Sequence, residues 1–261
     1  MGARSPSRKR VRFGNLWVDA LTFPEALGEI ERLVASGRGA SVFTPNVDHV
    51  VTAEDDAAFR EAYAAASLSL PDGQPLVWAS RLLGARLPAK ISGSDLVLPL
   101  MYLAARRRWR VYFLGGPPGI AAAAAGRLER EVGVQIVGVD SPTIQLDRDP
   151  PDDSVAERLR AAQPHLVLVA LGSPKQELWI RRMEERIRPA VAIAVGGAID
   201  FLAGRVRRAP PWISRCGLEW LFRLSQEPHR LARRYLLKDP RFLLVLGRTL
   251  LASRSSRVLA R

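Results

Sequence analysis

The 261-residue chain has 48% hydrophobic residues, enough for a packed core, and 39 Lys+Arg against 26 Asp+Glu, a formal charge of +13. Its single cysteine, Cys216, excludes an internal disulfide and a multi-cysteine metal site, and fits a reducing cytoplasm. His49, His165 and His229 are too scattered for a zinc site, and no Walker loop or Gly-x-Ser-x-Gly elbow is present.

The charge is segregated. Residues 1–13 hold 5 basic residues and no acid, residues 204–261 hold 14 basic against 3 acidic, and the middle holds 20 against 23. Charges spread evenly would cancel within a Debye length of about 8 Å, so a segregated excess marks a surface that meets an anionic partner. The opening MGARSPSRKRVRF has no apolar stretch after its basic residues. It reads as a disordered basic arm over 1–13 and not as a secretory signal.

From residue 14 to 203 short β-branched runs alternate with helical patterns. The expected strands are Ala40–Phe43, Leu68–Leu70, Arg110–Leu114, Val134–Val139, Leu166–Leu171 and Val191–Val195. Helices are expected over Phe23–Ala35, Val50–Ala66, Gln74–Leu83, Ser94–Arg106, Pro118–Glu131, Pro151–Ala162 and Lys175–Ile187. This alternation predicts an α/β fold, a Rossmann-like, mostly parallel sheet with helices on both faces. In such sheets ligands bind beyond the carboxyl ends of the strands. Five loops rich in Gly and polar residues fall there, at residues 44–49, 71–74, 115–119, 172–177 and 196–200, so the site is expected on that rim.

Each loop carries a candidate. Asp72, in LPDGQP, is a turn former or helix cap by residue type, and a candidate general base by its place on the same rim as Thr44, Asn46 and Gln176. FLGGPPG, with Gly115 and Gly116, reads equally as a tight turn or as a backbone cradle for a diphosphate at a helix start. Gln176 has an amide able to read a base or a sugar hydroxyl. The Asp147-Arg148-Asp149 stretch has the form of a divalent-cation motif but sits in a proline-rich loop, and reads as a solvated loop and cap.

Beyond residue 203 the sequence becomes basic and aromatic. Trp212, Ile213, Leu218, Trp220, Leu221 and Phe222, then Phe242–Leu246, supply an apolar load beyond what phosphate binding needs. Its apolar runs are too short to span a bilayer, so residues 204–261 read as a basic, helical, membrane-binding appendage. Arg223, Arg230 and Arg233 would share one face of a continuous helix, although Pro228 must start a new turn or kink the old one. Cys216 is expected to pack beside Trp212 and Trp220.

Together the stretches TPNVDHV, LPDGQPLVW, SGSDL, FLGGPPG, ALGSPKQE, VGGAIDFLAGRVRRAPPW and LEWLFRLSQEPHRLARRY resemble the WecG/TagA/CpsF family of bacterial glycosyltransferases, from about Phe13 to about Leu244. The resemblance implies an inverting enzyme that needs no metal or cofactor and acts at the cytoplasmic face of the cell membrane. It would move a sugar, often N-acetylmannosamine, from a UDP-sugar donor to an undecaprenyl-diphosphate-linked acceptor in cell-surface polysaccharide synthesis. By the same resemblance Asp72 is the base, and Thr44, Asn46 and Gln176 belong to the pocket. Arg223, Arg230 and Arg233 look like the arginines that the tail folds over the diphosphate. Apart from the resemblance, Gly115, Gly116, Gly172 and Asp200 would contact the substrates by their place on the rim loops. So would Lys90, where the family pattern has arginine; lysine keeps the charge but loses the planar fork. The implied partners are the donor, the lipid acceptor and an anionic membrane surface, with no nucleic acid, and self-association is left open. Two other readings stand beside it: a nucleic-acid-binding protein using the basic tail, and a nicotinamide-dependent oxidoreductase using FLGGPPG.

Overall fold

A computed structural model describes residues 8–146, 153–205 and 209–258. Six strands form one parallel sheet: β3 (Ala40–Phe43), β4 (Leu68–Ser69), β5 (Arg110–Gly115), β6 (Gln135–Asp140), β7 (Leu166–Ala170) and β8 (Val191–Ala194). They lie in the order β4-β3-β8-β7-β5-β6, and each of the expected runs becomes one of them. Along β5, Val111 and Phe113 face one core and Tyr112 and Leu114 the other; along β7, Leu166 and Leu168 oppose Val167 and Val169. Both faces are therefore covered, as the continuous apolar runs require.

The helices divide between the two faces. Against one core pack α1 (Phe23–Ala35), α5 (Gly93–Arg107), α6 (Ile120–Val132) and α9 (Ala198–Leu202). Against the other pack α2 (Val47–Asp55), α3 (Ala57–Ala65), α4 (Gln74–Leu82), α7 (Ser154–Ala162) and α8 (Lys175–Met183). Local chemistry sets several starts. Thr22 and Glu25 close a capping box on α1, as Ser92 and Asp95 do on α5. The single helix expected over Val50–Ala66 is instead two, because Asp56 leaves helical geometry and caps α3 by accepting from the Phe59 amide at 2.9 Å.

The expected disordered arm fails at its end. Arg10–Phe13 is strand β1, paired antiparallel with β2 (Leu16–Asp19) across a Gly14-Asn15 turn, with Val11, Phe13, Leu16 and Val18 buried. Only the even positions of this strand are basic; the odd ones enter the core.

The basic C-terminal segment is a chain of short helices: α10 (Pro211–Arg215), α11 (Glu219–Gln226), α12 (Pro228–Arg233), a π-helical turn (Arg234–Lys238) and α13 (Arg241–Val258). Pro228 begins α12, so Arg223 and Arg233 stand on separate helices and not on one continuous face. The last helix lies on the hairpin. Phe242, Val245 and Leu246 are buried, the rings of Phe242 and Phe13 are 6.4 Å apart, and Thr249 Oγ1 accepts from the Gly14 amide at 2.9 Å. Among the described residues no helix is long and apolar enough to cross a membrane. If α13 is part of this core, Phe242→Ala should lower unfolding free energy by about 3–5 kcal/mol in urea denaturation. An unchanged midpoint would mean the helix is not packed there in solution.

Candidate active site

The parallel sheet aligns the carboxyl ends of its strands, so the loops after β4, β3, β8, β7 and β5 stand side by side in that order. Two cavities open along this rim. One, of 290 Å³, is walled by Asn46 and Asp72 from the sheet loops and by Trp220, Arg223, Arg234 and Tyr235 from the C-terminal helices. The other, of 410 Å³, is walled by Gly115, Gly116, Gly172, Lys175, Gly197 and Asp200. Arg223 connects them. It lines the first cavity and stacks over the Phe201 ring at 5.6 Å, and its Nη2 would lie 3.4 Å from a Cβ added at Gly197, in the wall of the second.

Asp72 is held at the end of β4. Its amide donates to Pro45 O at 2.8 Å, tying the β4 and β3 loops together, while the Ile91 amide donates to Pro71 O at 2.7 Å. Gly73 follows at φ 119°, a conformation only glycine adopts readily, so the chain turns sharply into α4. Burial pushes the Asp72 carboxyl up to about 7; Lys90 and Arg223 oppose the rise, while Glu219 and Asp95 add to it. A carboxylate with that value is half ionised near neutrality and is a far better proton acceptor than an ordinary aspartate.

The C-terminal helices are fastened over this cavity through α2. Arg234 Nε lies 3.3 Å from Asp48 Oδ2 and its Nη2 donates to Asn46 Oδ1 at 3.2 Å; Lys238 Nζ lies 2.7 Å from Asp48 Oδ1 and donates to Thr52 Oγ1 at 2.7 Å. Arg241 pairs with Asp55 and Arg248 with Glu54. Burial alone would raise the Asp48 carboxyl, but Arg234 and the bond from Lys238 outweigh it and hold it below the ordinary range. Beneath, His49 is kept neutral by burial, its value lowered to about 3, and its Nδ1 shares a hydrogen bond of 3.0 Å with Tyr63 Oη. Four of the tail's basic residues are thus matched by three acids of α2.

In the second cavity Gly115 is required by its surroundings: at φ 98° a Cβ there would stand 2.6 Å from Ala170 O. The expected backbone cradle is partly used up, because the Gly116 amide donates to Ala170 O at 3.0 Å. Gly172 has φ 76° and open space around it, and Asp200 pairs with Arg205 at 3.4 Å.

The remaining candidates distribute unevenly. Thr44 and Gln176 are buried behind the rim, not in either cavity wall: Thr44 Oγ1 donates to Ala194 O at 3.4 Å, and Gln176 Oε1 accepts from the Gly196 amide at 3.2 Å. Gln176 Nε2 in turn donates at 2.8 Å to Glu177, a fully buried carboxyl that burial pushes up to about 7. Lys90 contacts the cavity wall through Glu219 and Ser214. Arg233 is exposed and outside the cavity wall, the side chain of Arg230 lies outside the described residues, and so do Asp147 and Asp149. Cys216 is exposed, and its amide donates to Trp212 O at 3.0 Å. Among the described residues no group of three or more His, Cys, Asp or Glu is placed to hold a metal ion.

The sequence matches the glycosyl transferase WecG/TagA/CpsF family over residues 11–256, nearly the whole chain and both cavities. The chain belongs to that family. It is also similar to two proteins described as N-acetylglucosaminyldiphosphoundecaprenol N-acetyl-beta-D-mannosaminyltransferase. The one from Bacillus spizizenii is 32% identical over 206 residues, 78% of this chain and 77% of the relative. The one from Bacillus subtilis is 32% identical over 209 residues, 80% of this chain and 79% of the relative. The chain is thus a hexosyltransferase of this glycosyltransferase family, and its rim is where that chemistry has to be sought.

Two residues of this glycosyltransferase's cavity escape sequence reasoning. Arg234, the residue after α12, lines the cavity where Arg233 was expected, because Pro228 starts a new helix and with it a new helical phase. Glu219 opens α11 as an ordinary acidic first-turn residue; its one clue is the LEW segment in which it sits.

Proposed function

We propose that this glycosyltransferase moves a hexose, N-acetylmannosamine or a close relative, from a UDP-sugar to a sugar carried on undecaprenyl diphosphate, with inversion and without a metal ion. The observation that carries the reading is the placement of Asp72, its proton affinity raised to about 7, in a cavity that Arg223 joins to a second, glycine-walled one. The relatives' names supply the acceptor and sugar class.

The reaction in this reading is a single displacement. The nucleotide lies in the glycine-walled cavity, where Gly115, Gly116 and Gly172 let backbone approach closely and Asp200 can take a sugar or ribose hydroxyl. The acceptor sugar enters beside Asp72 and Asn46. Asp72 takes the proton of the attacking hydroxyl as its oxygen bonds to the anomeric carbon. The bond from that carbon to UDP breaks on the opposite side, and its electron pair leaves with the diphosphate. Arg223, between the cavities, meets the charge that develops there, with Arg234 as the second guanidinium at the acceptor side. Thr44 and Gln176 hold the β3, β7 and β8 loop ends in register, and Lys90 sets the charge beside the base. Arg233, exposed on α12, has no part in this step.

The same reading places the enzyme at the inner face of the cell membrane. Trp212, Leu221, Leu243 and Leu244 on the C-terminal helices and Trp78 and Leu82 on α4 are all exposed, and Leu243 lines the acceptor cavity. Exposed apolar side chains on a segment rich in arginine suit a lipid interface, where the acceptor is held.

Asp72→Asn should keep UDP binding and lose about 10²–10⁴-fold in transfer. In the parent enzyme kcat/KM should rise with pH through about 7, since only the ionised carboxylate accepts the proton. Turnover persisting in Asp72→Asn, or activity abolished by EDTA and restored by manganese, would refute the reading. Replacing Trp212, Leu243 and Leu244 together by serine should release the protein from vesicles containing anionic phospholipid while leaving its circular dichroism unchanged. Undiminished sedimentation with the vesicles would remove these residues from membrane binding.

A further inference from the structure

One carboxylate of the C-terminal helices reaches back to the core immediately beside the base. Glu219 Oε2, at the start of α11, accepts from Lys90 Nζ at 2.8 Å and from Ser214 Oγ at 3.0 Å. Lys90 Nζ also lies 3.1 Å from Ser214 Oγ and 3.0 Å from Asp95 Oδ2. Lys90 stands in the loop between α4 and α5, Asp95 in the first turn of α5, and Ser214 on α10. A single ammonium, its side chain only 13% exposed, therefore joins core and tail with one carboxylate from each. The charged groups that face Asp72 are Lys90 and Asp95 from the core and Glu219 and Arg223 from α11; Tyr63 and Tyr235 are its neutral neighbours.

We propose that Glu219 is a positioning residue for Asp72: by holding Lys90 between tail and core, it shares out the ammonium's charge that would otherwise fall on the base. This rests on the reading of Asp72 as the base. An ammonium directed at a carboxylate stabilises its ionised form and makes it a weaker proton acceptor. With Glu219 and Asp95 both engaged, Lys90 is largely neutralised and Asp72 keeps its raised proton affinity. When α10 and α11 lift, Lys90 loses Glu219 and Ser214 together and Asp72 gains water. Arg223 leaves on the same helix and works the other way, but burial is the largest cause of the raised proton affinity, so the gain of water returns the base toward an ordinary aspartate. Docking of the C-terminal helices thus turns the base on, and an open enzyme is spared attack by water on its donor.

The test is the acidic limb of kcat/KM against pH, measured as UDP release with donor and lipid-linked acceptor. Glu219→Gln should move the limb to lower pH by about half a unit or more and lower the plateau rate several-fold. Lys90→Gln, which removes the positive charge itself, should move it to higher pH. Lys90→Arg, which keeps the charge and can keep both partners, should leave it in place. A limb unmoved in Glu219→Gln, whatever the rate, would overturn the positioning role. Should that variant fail to fold, a limb that does not rise in Lys90→Gln would do the same. Asp72→Asn run alongside separates the two readings. Turnover retained there removes the base, and the positioning role with it. Turnover lost there, with the limb unmoved in Glu219→Gln, overturns the positioning role alone.

Discussion

Asp48, its side chain 10% exposed, is gripped by Arg234 and Lys238, and the rest of the acceptor cavity depends on that grip. The carboxylate sits in the first turn of α2, where the amide dipoles already favour negative charge, and Asn46 caps the same helix while bonding Arg234. A buried carboxylate is costly unless it is paired, so the two cations satisfy a demand created by the core. They also place Arg234, Tyr235 and Trp220 over the rim. His49 makes the arrangement sustainable: burial keeps it neutral, so no third positive charge competes for Asp48, and its bond to Tyr63 locks α2 against α3.

This grip changes the meaning of the charge distribution. The +11 excess of the tail and the mild acidity of the body are partly two halves of one internal interface, with Glu54, Asp48 and Asp55 of α2 answering Arg248, Arg234, Lys238 and Arg241. Arg223 is the exception that matters for chemistry. It stacks on Phe201 and faces the glycine side of the rim, so its charge is available where the two cavities meet. A cation held by an aromatic face is oriented without being neutralised, which is what a developing diphosphate charge needs.

The sheet was legible because parallel strands buried on both faces leave unbroken β-branched and aliphatic runs, as in LVLVA of β7 and VAIA of β8. Its rim followed from topology alone, and with it the cluster of Asn46, Asp72 and the glycines. The hairpin was hidden because its outward positions are arginines; the signal that could have found it is the Gly14-Asn15 pair between two alternating runs. The two-helix break at Asp56 shows only as a lone cap residue within an alanine-rich run. Arg234 was missed for a stricter reason: helical spacing carries phase forward only while the helix is unbroken, and here Pro228 restarts it. Thr44 and Gln176 lie on the right loops but face inward, a distinction that residue type does not report.

The acceptor side of the site is complete only while the C-terminal helices are held on α2. Asp48→Asn tests it most directly, because it removes the shared partner of Arg234 and Lys238 without touching Asp72 or the glycine-walled cavity. In that variant kcat/KM for UDP release with the lipid-linked acceptor should fall about tenfold or more, with the dissociation constant for UDP unchanged. Wild-type turnover in a folded Asp48→Asn protein would contradict it.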